Sequence, residues 1–234
     1  MIKKIFFVIF SSANYNSIKS VIETLIKDKN FNVKVVLGAS ALSDKYGNLT
    51  QRLKKDRIKI DFKIETQLEK TDNVAMVKTT GLNLIELTDI FHQNKPDLVF
   101  TVGDRHETIS TAIAASYMNI LVAHTMGGEV SGTIDETVRH SITKLSNFHF
   151  VANEDAKKRV ILLGEEKKNV FNVGCPRNDL LVKIIKNIKK LEPKAFKFLS
   201  STGVGDFKNL TKNDEYFVVL FHPDTHNINK SVKT

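Results

Sequence analysis

The sequence predicts an α/β fold: one parallel, twisted sheet with helices on both of its faces. Three features carry that reading. Short runs rich in Ile, Val and Phe recur along the 234 residues, longer segments with apolar positions three or four apart separate them, and the first run, IFFVIF at 5–10, is apolar at every position. A strand that is apolar on both sides is buried on both sides, which is the condition of a parallel sheet covered by helices.

Strands are expected at 5–10, 32–37, 58–64, 98–102, 120–124, 148–151 and 170–173, each a β-branched or aromatic run. Helices fall between them, at 17–27, 74–93, 105–117, 134–146 and 154–163. Asn94-Lys95-Pro96-Asp97 stops the second helix and feeds the next strand. Asp104-Arg105-His106-Glu107 has the form of a capping box for a helix starting at Arg105, and Thr133-Ile134-Asp135-Glu136 has the same form for the next helix. On that helix Asp135 with Arg139, and Glu136 with His140, are i, i+4 pairs. A further helix at 180–191 sets Leu180, Leu181, Ile184, Ile185 and Ile188 beside a lysine-rich face.

These elements divide the chain into an N-terminal domain at 1–198, a linker at 199–215 containing Gly203-Val204-Gly205-Asp206, and the start of a second domain at 216–234. The last region opens with YFVVLF, a buried-type strand, and runs into His222-Pro223-Asp224-Thr225. A strand that opens a new βα unit near the end of the sequence reads as a truncated second domain.

Composition narrows the class of function. A hydrophobic content of 41% lets a chain of this length bury a substantial core. Met1-Ile2-Lys3-Lys4 and the apolar run after it mimic an export signal, but the run is too short for one and far shorter than a bilayer span. Cys175 is the single cysteine, so no intramolecular disulfide forms and a reducing cytoplasm is expected. The net charge of +9 suits an anionic partner. With no tryptophan and no aromatic residues interleaved among the lysines, neither a nucleic acid nor a membrane surface is the expected partner.

Residues able to do chemistry crowd where strands end and helices begin, the rim at which open α/β sheets bind ligands. Asp104, Arg105, His124, Glu129, Asp135, Glu136, Arg139 and His140 all fall within 104–140. Carboxylates and cations gathered in a cleft shift one another's pKa values, and so separate acid from base roles at neutral pH. Gly127 and Gly128 permit close backbone approach to a ligand. Each feature has a structural reading as well, since Asp104 and Glu136 fall at capping-box positions and Asp135 in an i, i+4 pair.

The block Gly103-Asp104-Arg105, then the stretch from His124-Thr125-Met126-Gly127-Gly128-Glu129 through Ser131 to Glu136, then Val138-Arg139-His140-Ser141, resembles the hydrolysing UDP-N-acetylglucosamine 2-epimerases of sialic-acid biosynthesis. Val173-Gly174-Cys175-Pro176 and the strand ending in His222-Pro223 fit the same family. The resemblance implies the N-terminal half of a glycosyltransferase-B-type fold, in which two Rossmann-like domains hold a UDP-sugar between them. It implies no cofactor and no metal, and a homo-oligomer for the full-length enzyme. The reaction implied is elimination of UDP across C1 and C2 of the sugar, then addition of water to give N-acetylmannosamine. Asp104, Glu129, Asp135 and Glu136 are the implied acid/base set; Arg105, His124, Gly128, Ser131, Arg139, His140 and His222 are the implied substrate contacts.

The sequence departs from its relatives in three places. Ser11-Ser12-Ala13-Asn14-Tyr15 stands where many carry Gly-Thr-Arg-Ala-Asp-Tyr, Met126 stands where some carry glutamate, and Ala41 where some carry histidine. Two other readings compete. One is a binding-only or inactive fragment of such an enzyme; the other is a metal-dependent hydrolase using the His222 and His226 spacing.

Overall fold

The computed structural model describes residues 2–70 and 72–187. The chain divides into two compact units, 1–182 and 183–234, and the architecture below is that of the first. Seven parallel strands form one sheet: β1 (Lys3–Ile9), β2 (Phe31–Gly38), β3 (Phe62–Ile64), β4 (Leu98–Val102), β5 (Leu121–Thr125), β6 (Phe148–Val151) and β7 (Val170–Asn172). Their order is β3-β2-β1-β4-β5-β6-β7, so the direction of winding reverses between β1 and β4.

β1 explains the two-sided core. Ile5, Phe7 and Ile9 pack with Val35, Leu37 and Phe100 on one face, under Tyr15, Ile18 and Ile22 of α1 (Ser12–Leu25). Phe6, Val8 and Phe10 point the other way, against Leu87 and Phe91 of α3 (Asn73–Asn94) and Ala114 and Ala115 of α4 (Thr108–Tyr117). A period-two strand buried on both faces is therefore apolar at every residue. α2 (Thr50–Lys55), α5 (Ile134–Lys144), α6 (Glu154–Leu162) and α7 (Arg177–Lys186) complete the set. Among the described residues no helix is long and apolar enough to cross a membrane.

Four expectations need correction. The strand at 58–64 shrinks to Phe62–Ile64, because Arg57 turns at φ +59° and the Ile58 amide closes the end of α2 on Leu53. Ile58 and Ile60 still enter the core, as loop residues. α1 starts at Ser12 rather than residue 17, with the Ser11 hydroxyl capping the Asn14 amide. α4 starts at Thr108 rather than Arg105, so Asp104 caps nothing there. The pair expected between Asp135 and Arg139 gives way to one between Arg139 and Asp104, while Glu136 does face His140, at 3.8 Å. Residues 188–191 of the expected last helix, the linker at 199–215, the strand at 216–221 and His222 lie outside the described residues.

Candidate active site at the winding reversal

In open α/β sheets the crevice opens where the winding reverses, beyond the carboxyl ends of the strands. Here that point lies between β1 and β4, and Asn14 spans it. Its side-chain oxygen accepts from the Phe10 amide at 3.2 Å, and its amide nitrogen donates to the Val102 carbonyl at 2.8 Å. One buried side chain thus ties the end of β1 to the end of β4.

Beside Asn14 is a cleft of about 110 Å³ lined by Ala13, Ser17, Gly103, Asp104, Arg105, Met126, Glu129, Arg139 and Arg177. The connections that follow β1, β4, β5 and β7 contribute, together with α5. Arg139 organises the floor. It is buried on α5, and its guanidinium donates both to the Asp104 carboxylate and to the Glu129 main-chain carbonyl, the latter at 2.5 Å. One cation therefore fixes the loops after β4 and β5 against each other.

The two carboxylates of the cleft sit in different fields. Asp104 is ion-paired with Arg139. Burial pushes the Glu129 carboxyl above its ordinary range, against the opposing pull of Arg159 and Arg177. A carboxyl so raised holds a proton more readily than a solvated one, which is the property an acid/base group needs near neutrality. Arg105 forks onto the fully buried Glu107 carboxylate at 2.9 and 3.1 Å. Burial works against its charge, but Glu107 and Asp135 outweigh that and hold the guanidinium above its usual value. Arg177 reaches back across the cleft to the Ser17 hydroxyl at 3.0 Å. Met126, at φ +65°, holds a left-handed conformation that is rare for a residue with a Cβ.

A cleft of this size takes one polar group rather than a whole nucleotide sugar, since drug-sized ligands occupy roughly 300–1,000 Å³. A larger hollow of about 600 Å³ lies at the ends of β2 and β3, between Ala39, Leu42, Tyr46, Glu65, Gln67 and Leu68. It lacks the convergence of arginines on carboxylates that marks the smaller one.

The family model described as UDP-N-acetylglucosamine 2-epimerase matches residues 23–233. The chain belongs to the UDP-N-acetylglucosamine 2-epimerase family. A UDP-N,N'-diacetylbacillosamine 2-epimerase (hydrolyzing) of Legionella pneumophila is 38% identical over 179 residues, covering 76% of this chain and 48% of the relative. A GDP/UDP-N,N'-diacetylbacillosamine 2-epimerase (hydrolyzing) of Campylobacter jejuni is 32% identical, covering 99% of this chain and 57% of the relative. The chain thus spans about half the length of the curated relatives it matches. The crystal structure of Methanocaldococcus jannaschii UDP-GlcNAc 2-epimerase in complex with UDP-GlcNAc and UDP superposes with a TM-score of 0.72 at 20% identity, over 85% of this chain and 53% of that one. The fold is accordingly the N-terminal Rossmann-like half of the glycosyltransferase-B type.

Of the residues that the sequence singled out, this epimerase-family chain brings Asp104, Arg105, Glu129 and Arg139 to one cleft. Among the described residues, the others make contacts of their own. His124 is fully buried, and because a carbonyl cannot donate, its Nε2–H donates to Gly103 at 3.0 Å. It positions the loop carrying Asp104 rather than reaching a ligand, and burial lowers its pKa to about 4, so the ring is neutral. Gly128 is a glycine because of α6: a Cβ there would stand 2.3 Å from the Ala156 carbonyl oxygen, at φ +78°. The Glu136 carboxylate accepts from the Ser131 and Gly132 amides, both at 2.7 Å, and so ties the loop before α5. His140 sits beside Glu136, and Asp135 acts through its field on Arg105 and His106. Sequence reasoning missed Asn14 and Arg177. The polar start of α1 was a signal for the first; for Arg177 the only one was an arginine following Gly174-Cys175-Pro176 at a strand end.

Proposed function

We propose that this protein is a hydrolysing 2-epimerase of UDP-linked 2-acetamido sugars, converting UDP-N-acetylglucosamine to N-acetylmannosamine and UDP in sialic-acid-type sugar synthesis in the cytoplasm. The observation that carries the reading is the convergence of Asp104 and Glu129 on one cleft under Arg139, with Arg105 and Arg177 at its edge. A base removes the C2 proton, the C1–O bond breaks, and UDP departs with the bonding pair, leaving a C1=C2 double bond. Water then adds, hydroxyl to C1 and proton to C2 on the opposite face. Each half needs a proton carrier, and the first needs cations at the diphosphate.

Asp104 and Glu129 serve as that acid/base pair. Asp104 is held in one orientation by its ion pair, and Glu129 carries the raised pKa suited to passing a proton back. Arg105 and Arg177 meet the diphosphate, for which the planar guanidinium fork is suited. His124, Gly128, Glu136 and Arg139 hold these groups in place.

A second reading of the sugar has its own support. The Legionella and Campylobacter relatives are named for N,N'-diacetylbacillosamine, whereas a Neisseria meningitidis relative named UDP-N-acetylglucosamine 2-epimerase is 27% identical over 95% of this chain. The test is UDP release from each sugar nucleotide, by this chain and by any longer product of its gene. Activity is expected to survive exhaustive chelation. Asp104→Asn and Glu129→Gln should each lower kcat by about a hundredfold or more. Undiminished turnover by either variant overturns the assignment, and UDP binding without release from either sugar leaves only a binding protein.

A further inference from the structure

Among the described residues Glu107 is the only buried acidic residue, none of its side chain being exposed, and the reaction proposed above does not use it. A carboxylate so placed is costly unless its charge is matched and its oxygens are hydrogen-bonded. The Arg105 guanidinium forks onto it through Nε and Nη2, at 3.1 and 2.9 Å, and His106 Nδ1 stands 3.2 Å away. Burial lowers the His106 pKa below the ordinary imidazole range, against the pull of Glu107, so near neutral pH that ring is uncharged. Arg105 is then the cation that balances the carboxylate.

The backbone of this loop is pinned as well. The Arg105 carbonyl accepts from the Thr108 amide at 2.9 Å and from the Thr108 hydroxyl at 2.5 Å, and the His106 carbonyl accepts from the Thr80 hydroxyl of α3 at 3.1 Å. Main chain and guanidinium are both fixed, although the Arg105 side chain is 44% exposed and lines the cleft. The fork to Glu107 occupies Nε–H and one Nη2–H. The end-on pair, an N–H from each Nη, has no partner among the described residues and has the spacing that two phosphate oxygens accept. The other arginines of the cleft are placed differently: Arg139 is directed at Asp104 and Glu129, and Arg177 is held by one neutral hydroxyl. A free arginine loses rotamer freedom when an anion orders it, whereas one already locked by a buried carboxylate does not.

Taking Arg105 as a diphosphate contact, as in the proposed function, we propose that Glu107 is a positioning residue that holds the Arg105 guanidinium in the orientation that receives the diphosphate. The sign of its effect separates this from two plainer roles. On charge alone, Glu107→Gln makes the cleft more cationic and tightens the binding of an anion. A carboxylate that only stabilises the fold lowers the melting temperature when neutralised and leaves the affinity unchanged. Positioning weakens the binding.

The probe is inorganic pyrophosphate, titrated by calorimetry into the wild-type protein and its variants, each shown to be folded by circular dichroism, with the arginine Nε–H signals followed by NMR. In the wild type the Arg105 Nε–H should exchange slowly with water and should shift as pyrophosphate binds. Glu107→Gln should abolish the slow exchange and weaken binding by about tenfold. Arg105→Lys, whose ammonium cannot fork, should lose about as much, and adding Glu107→Gln to it should weaken binding by less than about twofold more, because Glu107 acts through Arg105. If Glu107→Gln does not fold, Glu107→Asp takes its place, since it keeps the charge but falls one methylene short of the fork, and the same loss is expected. Unchanged or tighter binding by the Glu107 variant, losses that add in the double variant, or an Arg105 signal that pyrophosphate leaves in place would each overturn the proposal. UDP release from a sugar nucleotide distinguishes its failure from that of the epimerase reading: pyrophosphate binding that depends on Glu107, without UDP release, supports the positioning role alone, whereas UDP release by Glu107→Gln at the wild-type KM sinks that role alone.

Discussion

Replacing His124 with glutamine should remove a specific part of the acid sensitivity of folding. The ring is fully buried and neutral, with a pKa near 4 against an unfolded value of 6.5. Between those two values the unfolded chain binds one more proton than the folded one, so stability falls as pH falls through that window. The slope is about 1.4 kcal/mol per pH unit, which by about pH 4.5 amounts to roughly 2.5 kcal/mol for this one group. A glutamine amide in place of the ring can still donate to the Gly103 carbonyl, so the His124→Gln substitution removes the titration and keeps the contact. Urea unfolding of both proteins at about pH 7.5 and pH 4.5 gives the difference directly. The variant should lose about 2 kcal/mol less than the wild type on acidification, the carboxylates being common to both. Equal losses would mean that the ring is hydrated in the folded state, and the argument that His124 fixes the Asp104 loop from inside would fail.

Three further substitutions separate framework from chemistry. Gly128→Ala should destabilise by about 3 kcal/mol or more, lowering the melting temperature by roughly 6–12 °C, because the Cβ meets backbone; Gly103→Ala, with φ +77° but only the Asn14 amide at 3.7 Å, should lose about 1–2 kcal/mol. Asn14→Leu strands the Phe10 amide and the Val102 carbonyl, so calorimetry should show a loss of about 2–4 kcal/mol. Arg177→Ala should leave the melting temperature within about 2 °C, its side chain being exposed and held by one neutral hydroxyl, while raising KM for the UDP-sugar by about tenfold. An unchanged KM would remove Arg177 from the diphosphate site.

Much of this molecule is legible in its sequence because a sheet buried on both faces leaves little ambiguity. β4 and β6 match the expected 98–102 and 148–151 to the residue, and α3 differs from 74–93 by one residue at each end. The misses share a cause. At 58–64, and at the starts of α1 and α4, local propensity competes with a turn or cap whose partner lies elsewhere: the Ile58 amide on Leu53, the Ser11 hydroxyl on Asn14, and Asp104 drawn off by Arg139.

The site is legible to the same depth. Density of charge at strand ends points to Asp104, Arg105, Glu129 and Arg139. It does not tell whether a polar side chain faces a ligand or its own backbone, and so His124 and Glu136 read like site residues while serving Gly103 and the amides at 131 and 132. Arg177 is invisible for the opposite reason, being 160 positions from the Ser17 that it meets.

The decisive measurement is to run the reaction in deuterium oxide and examine the released sugar by proton NMR. Chemistry in the Asp104 and Glu129 cleft predicts one deuterium at C2, appearing in step with UDP, and neither signal in Asp104→Asn. Free UDP accompanied by a sugar that keeps its original C2 hydrogen would contradict the account, because simple hydrolysis at C1 would then be the reaction.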